Sequence, residues 1–338
     1  MTPTRRRRRS SSGGSGGLPV SYCSGVIDLR EAAASIGRLA DAGDLVVIQR
    51  ADDHIVFDAG TTIVKCGTRD EFGIEAWACE RARSVGVPAP EVIAIDRSAP
   101  FPYLALRKVG GVPLIDDRLP LELAVKAARE AGALLRRLHE LKLVGFGWAD
   151  RAHFERTGEV RGKSESWPEE ISAELEPALQ ELVSLGALTP AQAQSMRDEM
   201  ELARRATEAI TEGVFLHGDL GRMHVFVDPE HGGVTGFVDW GDVQVGDPVW
   251  DLAITGCHLA SPSEGILRVH HARQPDLFPR VVEGYEPAPD VAERLTVLGS
   301  FYLAYRQAWV ARMGPGEGGV PNPSLAMLLG KLDREIDA

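Results

Sequence analysis

The stretch from Val214 to Leu252, VFLHGDLGRMHVFVDPEHGGVTGFVDWGDVQVGDPVWDL, constrains the fold more than any other part of this chain. Apolar runs lead into each polar cluster. Buried strands should therefore carry His217, Asp219, His224, Asp239 and Asp242 on the loops between them, which is how rigid supports expose ionisable groups. Val225 to Val227 and Val234 to Val238, separated by Gly232-Gly233, predict a hairpin in the middle of the segment.

Around this segment the pattern is mainly helical. Leu121 to Leu141 repeats Leu and Ala at three and four, Pro168 to Ser184 continues the theme, and Pro190 to Thr211 starts with Thr189 as N-cap and Pro190 at the first helical position. Helices are also predicted at Trp250 to Leu259 and Val291 to Met313. The first third reads differently. Leu29 to Ala40 has helical spacing, and then Asp44 to Gln49, His54 to Asp58 and Thr61 to Cys66 form three short strand-like runs, an antiparallel meander. A helix from Phe72 to Ser84 and strands at Val92 to Ile95 and Tyr103 to Leu106 follow, and Gly110-Gly111 punctuates the chain. The expected fold class is α+β. A small sheet-rich lobe over residues 19–108 precedes a larger helical lobe over 109–338, after a low-complexity tail over 1–18 that has too little apolar area to order.

The chain has 338 residues and a formal net charge of −12, although Arg5 to Arg9 are all basic, so the folded body is more acidic still. A nucleic-acid binder should show the opposite sign. An acidic body suits a cationic small substrate, or serves only solubility. The arginine run is a solvated tail, or it binds nucleic acid, in which case deleting it would remove all activity. No apolar run nears the roughly 20 residues of a membrane helix. Cys23, Cys66, Cys79 and Cys257 are scattered, with no CxxC pair, which fits free thiols in a reducing cytoplasm.

Several residues carry chemistry in combination. Asp219 could accept a proton from a substrate hydroxyl, though an isolated His-Gly-Asp is more often a turn. His224 and Asp239 converge from two loops and could hold a divalent ion; carboxylates and phosphates suit magnesium, and an imidazole also suits manganese or zinc. Lys65 interrupts the apolar strand Ile63-Val64-Lys65-Cys66, so it lies on an exposed edge or is paired inside a cleft, with Glu75 as the natural partner. Such a lysine reaches phosphate oxygens, and the order of all these parts is a phosphoryl-transfer layout.

His217-Gly218-Asp219, Asp239 after Val-Thr-Gly-Phe-Val, and Gly246-Asp247-Pro248-Val249-Trp250-Asp251-Leu252 resemble the aminoglycoside phosphotransferase family, antibiotic kinases with a protein-kinase-like fold. The likeness continues upstream through Lys65, Glu75-Ala76-Trp77, Gly86 to Val92 and Pro102-Tyr103-Leu104. It implies that Lys65 binds the α- and β-phosphates and that Glu75 holds it. It further implies that backbone groups of Arg107 and Val109 meet the purine, that Asp219 is the catalytic carboxylate, and that Asp239 binds the metal. Asp251 would brace the catalytic loop, and Asp242 and Asp247 would be solvated or capping acids.

His224 stands where most of the family has Asn. Macrolide phosphotransferases share the HGDLxxxH string, so His224 is expected to remain a metal ligand, and GTP joins ATP as a candidate donor. No glycine-rich phosphate loop is present, and Ala51-Asp52-Asp53 sits in its place. Gly145-Phe146-Gly147 through Trp167 resembles an insertion of hygromycin-type members that contributes to the acceptor lobe, with Trp167 expected to pack onto the helix it precedes. Arg222 and His270-His271 read as surface residues. The resemblance implies an ATP- or GTP-dependent kinase, with Mg2+ or Mn2+, acting on a hydroxyl of a small cationic antibiotic. The alternatives are a kinase of the same fold acting on an amino alcohol, a sugar or homoserine, and a nucleotide-binding pseudokinase.

Overall fold

Three short strands pair as the antiparallel meander expected from the sequence: β1 (Val46–Arg50), β2 (His54–Asp58) and β3 (Thr62–Gly67). The computed structural model describes residues 45–50, 54–67, 72–98, 101–259 and 276–311. The predicted helix at Leu29 to Ala40, the arginine tail, Ala51-Asp52-Asp53 and His270-His271 lie outside them. Helix α1 (Phe72–Ser84) follows, and β4 (Val92–Asp96) and β5 (Tyr103–Arg107) complete a sheet of order β1-β2-β3-β5-β4.

β3 is therefore a central strand. Lys65 pairs with Val56 on one side and Leu104 on the other, so it is not an edge lysine. Because side chains alternate along a strand, Val64 and Cys66 enter a small core with Ile55, Phe57, Tyr103 and Ala105. Lys65 points to the other face with Leu104, where α1 packs.

After β6 (Val112–Pro113), helix α2 (Leu121–His139) buries Ala124, Ala127, Ala128, Ala131, Leu135 and Leu138 along one stripe. Next come β7 (Lys142–Leu143), β8 (Phe146–Ala149), α3 (Arg151–Thr157), β9 (Gly162–Ser164), α4 (Trp167–Ser184) and α5 (Pro190–Thr207). The Thr189 hydroxyl accepts from the Gln192 N–H while the Gln192 side chain accepts from the Thr189 N–H, a reciprocal cap that satisfies two donors at the start of α5. The chain then runs through β10 (Gly213–Leu216), β11 (Val225–Val227), β12 (Val234–Phe237), β13 (Gln244–Gly246), α6 (Pro248–Leu259), α7 (Phe278–Tyr285) and α8 (Pro289–Ala311).

The C-terminal part holds more sheet than the sequence led us to expect. Besides the hairpin β11–β12, to which β6 adds a third strand, there is a five-stranded sheet of order β7-β10-β13-β8-β9. Its strands are two to four residues long, too short to show a period. This sheet separates two cores. From β10, Phe215 enters the core beneath α1 and α2, while Val214 and Leu216 enter the one formed with α4, α5, α6 and α8. Trp167 is the first residue of α4 rather than preceding it, and instead of packing back onto that helix it is buried against Trp250 of α6 and Tyr302 of α8, donating its indole N–H to Tyr302 Oη at 2.8 Å.

Candidate active site

The loop after β10 is shaped by Asp251, at the start of α6. Its fully buried carboxylate accepts from the His217 N–H at 2.7 Å and the Gly218 N–H at 2.8 Å. Gly218 has φ +86, and a Cβ there would overlap the Asp242 carbonyl oxygen, so the turn needs glycine. The same Asp251 carboxylate meets His139 Nε2 at 3.1 Å, and His139 Nδ1 meets Tyr285 Oη at 2.9 Å. Since a carboxylate only accepts, His139 carries its proton on Nε2 and Nδ1 accepts from the tyrosine. Burial raises the Tyr285 phenol well above its ordinary value, which keeps it a donor.

His217 couples two acids rather than acting as a base. Its Nε2 donates to the Val238 carbonyl at 3.1 Å, and its Nδ1 faces the Asp219 N–H at 3.4 Å. The ring therefore spans the backbone that presents Asp219 and the backbone just before Asp239. Burial pushes its pKa below the usual imidazole value, with nearby Asp251 opposing, so the ring stays neutral.

Asp239 follows β12 with φ 65 and ψ 66, a left-handed conformation costing roughly 1–2 kcal/mol for a residue with a Cβ. Trp240, fully buried, donates its indole N–H to the Phe237 carbonyl and stacks against Phe215, which holds this turn in place. The turn brings Asp239 Oδ1 to 2.7 Å from Lys65 Nζ, which also lies 2.6 Å from Glu75 Oε1. Burial works against the charges on Lys65 and Asp239. Glu75 and Asp239 outweigh it and hold the ammonium above the ordinary lysine range, and Lys65 followed by His224 holds the Asp239 carboxyl well below the carboxylate range.

His224 completes the cluster. Its Nδ1 donates to the Asp219 carbonyl at 2.6 Å, and its Nε2 lies 3.6 Å from Asp239 Oδ2. Asp219 Oδ2 is 3.9 Å from His224 Nδ1, and the Asp219 side chain is one-quarter exposed. Lys65, Glu75, Asp219, His224 and Asp239 thus converge from β3, α1 and the two loops. Among the described residues no group of three His, Cys, Asp or Glu side chains is arranged to hold a metal by itself. One carboxylate oxygen and one imidazole nitrogen suit an ion that takes its remaining ligands from phosphate and water, as Mg2+ does and Mn2+ can.

Arg107, the last residue of β5, and Val109, just beyond it, lie apart from these groups. The Arg107 side chain points outward to Glu91, while Val109 packs over Gly236 of β12, so the connection to the C-terminal part touches the strand that leads to Asp239. Arg222, expected at the surface, is buried: desolvation lowers its pKa and Asp276 opposes this. Asp247 is not solvated either. It caps α6 by accepting from the Val249 N–H, and it accepts from Tyr302 Oη at 3.0 Å; burial raises its pKa despite Arg294 nearby. The His139–Tyr285 support has one faint sequence signal, a histidine closing the buried stripe of α2. Tyr285 has none.

Among the described residues no helix is long and apolar enough to cross a membrane. The profile of the APH family, described as "Phosphotransferase enzyme family", matches residues 67–295. Streptomycin 3''-kinase of Streptomyces griseus is 30% identical over 281 residues, covering 81% of this chain and 87% of that protein. Viomycin phosphotransferase of Streptomyces vinaceus is 31% identical over 158 residues, 46% of this chain, and the match spans only 50% of that protein's length. In fold the chain is similar to a thermostable mutant of aminoglycoside phosphotransferase APH(4)-Ia solved with ADP and hygromycin B, at a TM-score of 0.65 and 18% identity, covering 90% of this chain and 97% of that one. With its sheet lobe joined to a mainly helical one, the chain is a small-molecule phosphotransferase of protein-kinase-like fold and belongs to the APH phosphotransferase enzyme family.

Proposed function

We propose that the protein transfers the γ-phosphoryl group of ATP or GTP to a hydroxyl of a small cationic antibiotic. The observation that carries this reading is the convergence of Lys65, Glu75 and Asp239 with Asp219 and His224 across 174 residues of chain. The named activities of the streptomycin and viomycin relatives, and the ADP and hygromycin B bound to the structural neighbour, support the choice of donor and acceptor class. The acidic chain, at net −12, favours a cationic acceptor.

In this reading the two parts of the chain meet at the connection after Arg107, between residues 19–108 and 109–338. Backbone groups of Arg107 and Val109 face the purine, and Lys65, held by Glu75, binds phosphate oxygens. Asp219 aligns the acceptor hydroxyl and takes its proton. Asp239 and His224 hold a divalent ion, which when bound neutralises phosphate charge. Positioning and charge neutralisation do most of the work, as expected where the transferred group needs little covalent help.

The test is a panel of aminoglycoside, tuberactinomycin and macrolide antibiotics beside amino alcohols, sugars and homoserine, each run with ATP and with GTP and read by nucleotide consumption. Turnover confined to antibiotics supports the proposal. Turnover confined to metabolites establishes the metabolite-kinase alternative, and nucleotide binding without transfer to any acceptor establishes a pseudokinase. Removing residues 1–18 should leave turnover unchanged.

A further inference from the structure

Behind the strand that leads to the catalytic loop lies a narrow cavity. It is walled by Trp148, Trp167, Glu170, Gln244, Trp250 and Tyr305. Gln244 pairs with Leu216 and Trp148 across the sheet, and Leu216 runs directly into His217-Gly218-Asp219. The cavity holds about 340 Å3 of empty space with its mouth included, and narrows to about 10 Å3 for the centre of a water-sized group. That inner space is about what one water-sized group needs. Trp148 is half-buried and the other five residues are buried, so the cavity opens beside Trp148.

Its polar equipment is unusual. Glu170 is 4% exposed, and its Oε1 accepts no hydrogen bond. Its other oxygen is held by the Ser164 hydroxyl. Lys163 Nζ approaches Oε1 at 3.4 Å from the solvent side without hydrogen-bonding geometry, and Lys163 itself is 40% exposed. The Trp250 indole N–H is buried and also lacks a partner. Leaving a buried donor or acceptor unmatched is destabilising, the more so for a charged group. The backbone makes room for this carboxylate: Gly147 has φ +81, and a Cβ there would overlap Glu170.

A buried carboxylate ringed by aromatic rings is the chemistry that recognises an ammonium group, through a charge-assisted hydrogen bond and the negative ring faces. The inner volume admits one –NH3+ but not a quaternary ammonium. We propose that this cavity seats a protonated primary amine of the acceptor against Glu170, with the rest of the acceptor outside the mouth beside Trp148, and that Lys163 covers Glu170 until the guest displaces it. The inference rests on the phosphotransferase reading and specifies its acceptor: an amino sugar or amino alcohol, anchored by one amine beside the catalytic loop.

The test measures binding without turnover. Ethanolamine is titrated into the full-length protein carrying 15N-labelled tryptophan, and the indole N–H signals of Trp148, Trp167 and Trp250 are followed. Ethylene glycol, of similar size but neutral, and tetramethylammonium, charged but too large and without an N–H, are the controls. Ethanolamine should shift these signals saturably and the two controls should not. Glu170→Gln, which can keep the Ser164 hydrogen bond, should weaken binding roughly ten-fold or more. Lys163→Met should strengthen it several-fold, an opposite sign that general damage to the fold would not produce. Trp148→Leu, at the mouth, should weaken binding without altering the buried charge. Equal shifts with ethylene glycol, or unchanged ethanolamine binding in both Glu170→Gln and Trp148→Leu, would overturn the proposal. An acceptor phosphorylated without ethanolamine binding sinks this site alone; ethanolamine binding without any phosphorylated acceptor sinks the phosphotransferase assignment alone.

Discussion

Lys65 and Asp239, 174 residues apart, meet at 2.7 Å, and the same ammonium also holds Glu75 at 2.6 Å. One cation thus ties the sheet lobe to the loop that carries the second acid. Glu75 is buried and Asp239 is partly open to solvent, so the two pairs are unequal.

This asymmetry predicts a double-mutant result. Lys65→Met leaves Glu75 buried without its counter-charge, which should cost about 3 kcal/mol of stability. Adding Glu75→Gln should recover a large part of that loss, because the uncompensated charge goes with it. Urea denaturation of the two variants checks this; turnover should remain about 10²–10³-fold down in both, since neither can grip phosphate.

The two acids should fail differently. Asp219→Asn should lower kcat by about 10²–10⁴-fold while leaving nucleotide affinity intact. Asp239→Ala should instead abolish metal-dependent nucleotide binding. Isothermal titration with ATP and with GTP, each with and without Mg2+, separates the two; metal-dependent binding retained in Asp239→Ala would refute its assignment.

Stability should depend on pH through His217. Its folded pKa lies below the ordinary 6.5, so the unfolded chain binds more protons near that pH. Stability from this group is therefore complete above the ordinary value and is lost as pH falls from 6.5 toward the folded pKa. Denaturation midpoints measured between about pH 5 and 7 should fall with acidity, and His217→Gln should flatten that slope.

Helix α2 crosses α7 so closely that a Cβ on Gly132 would overlap the Val281 carbonyl, and one on Gly284 would overlap the Arg129 carbonyl. In an exposed helix, Gly→Ala gains about 1 kcal/mol. Here Gly132→Ala should destabilise by about 1–3 kcal/mol, because backbone has to move. It should also lower kcat, since α7 ends in Tyr285, which supports His139 and through it Asp251. Urea denaturation and steady-state kinetics on the same preparation test both parts.

Elements of one or more full periods were legible in the sequence. The meander, α1 from Phe72 to Ser84, the cap at Thr189 and the hairpin around Gly232-Gly233 lie within a few residues of where spacing and turn chemistry put them. The strands of the second sheet were not, because a run of two to four residues such as Lys142–Leu143 or Gln244–Gly246 carries no period and is defined only by its partners.

The same division holds at the site. The sequence by itself determined which residue types are available and on which strands and loops they ride: Lys65 in an apolar strand, Asp219 and His224 after β10, Asp239 after β12. Only the tertiary structure decided that β3 is central, which turns Lys65 inward to Glu75 and Asp239 instead of outward to water. It alone buried Arg222 and Asp247, and it made His217 a neutral spacer between two acids. The reason is physical. Local spacing fixes which face of an element a side chain takes, but burial, hydrogen-bond partners and the tautomer of an imidazole depend on what other elements bring to that face.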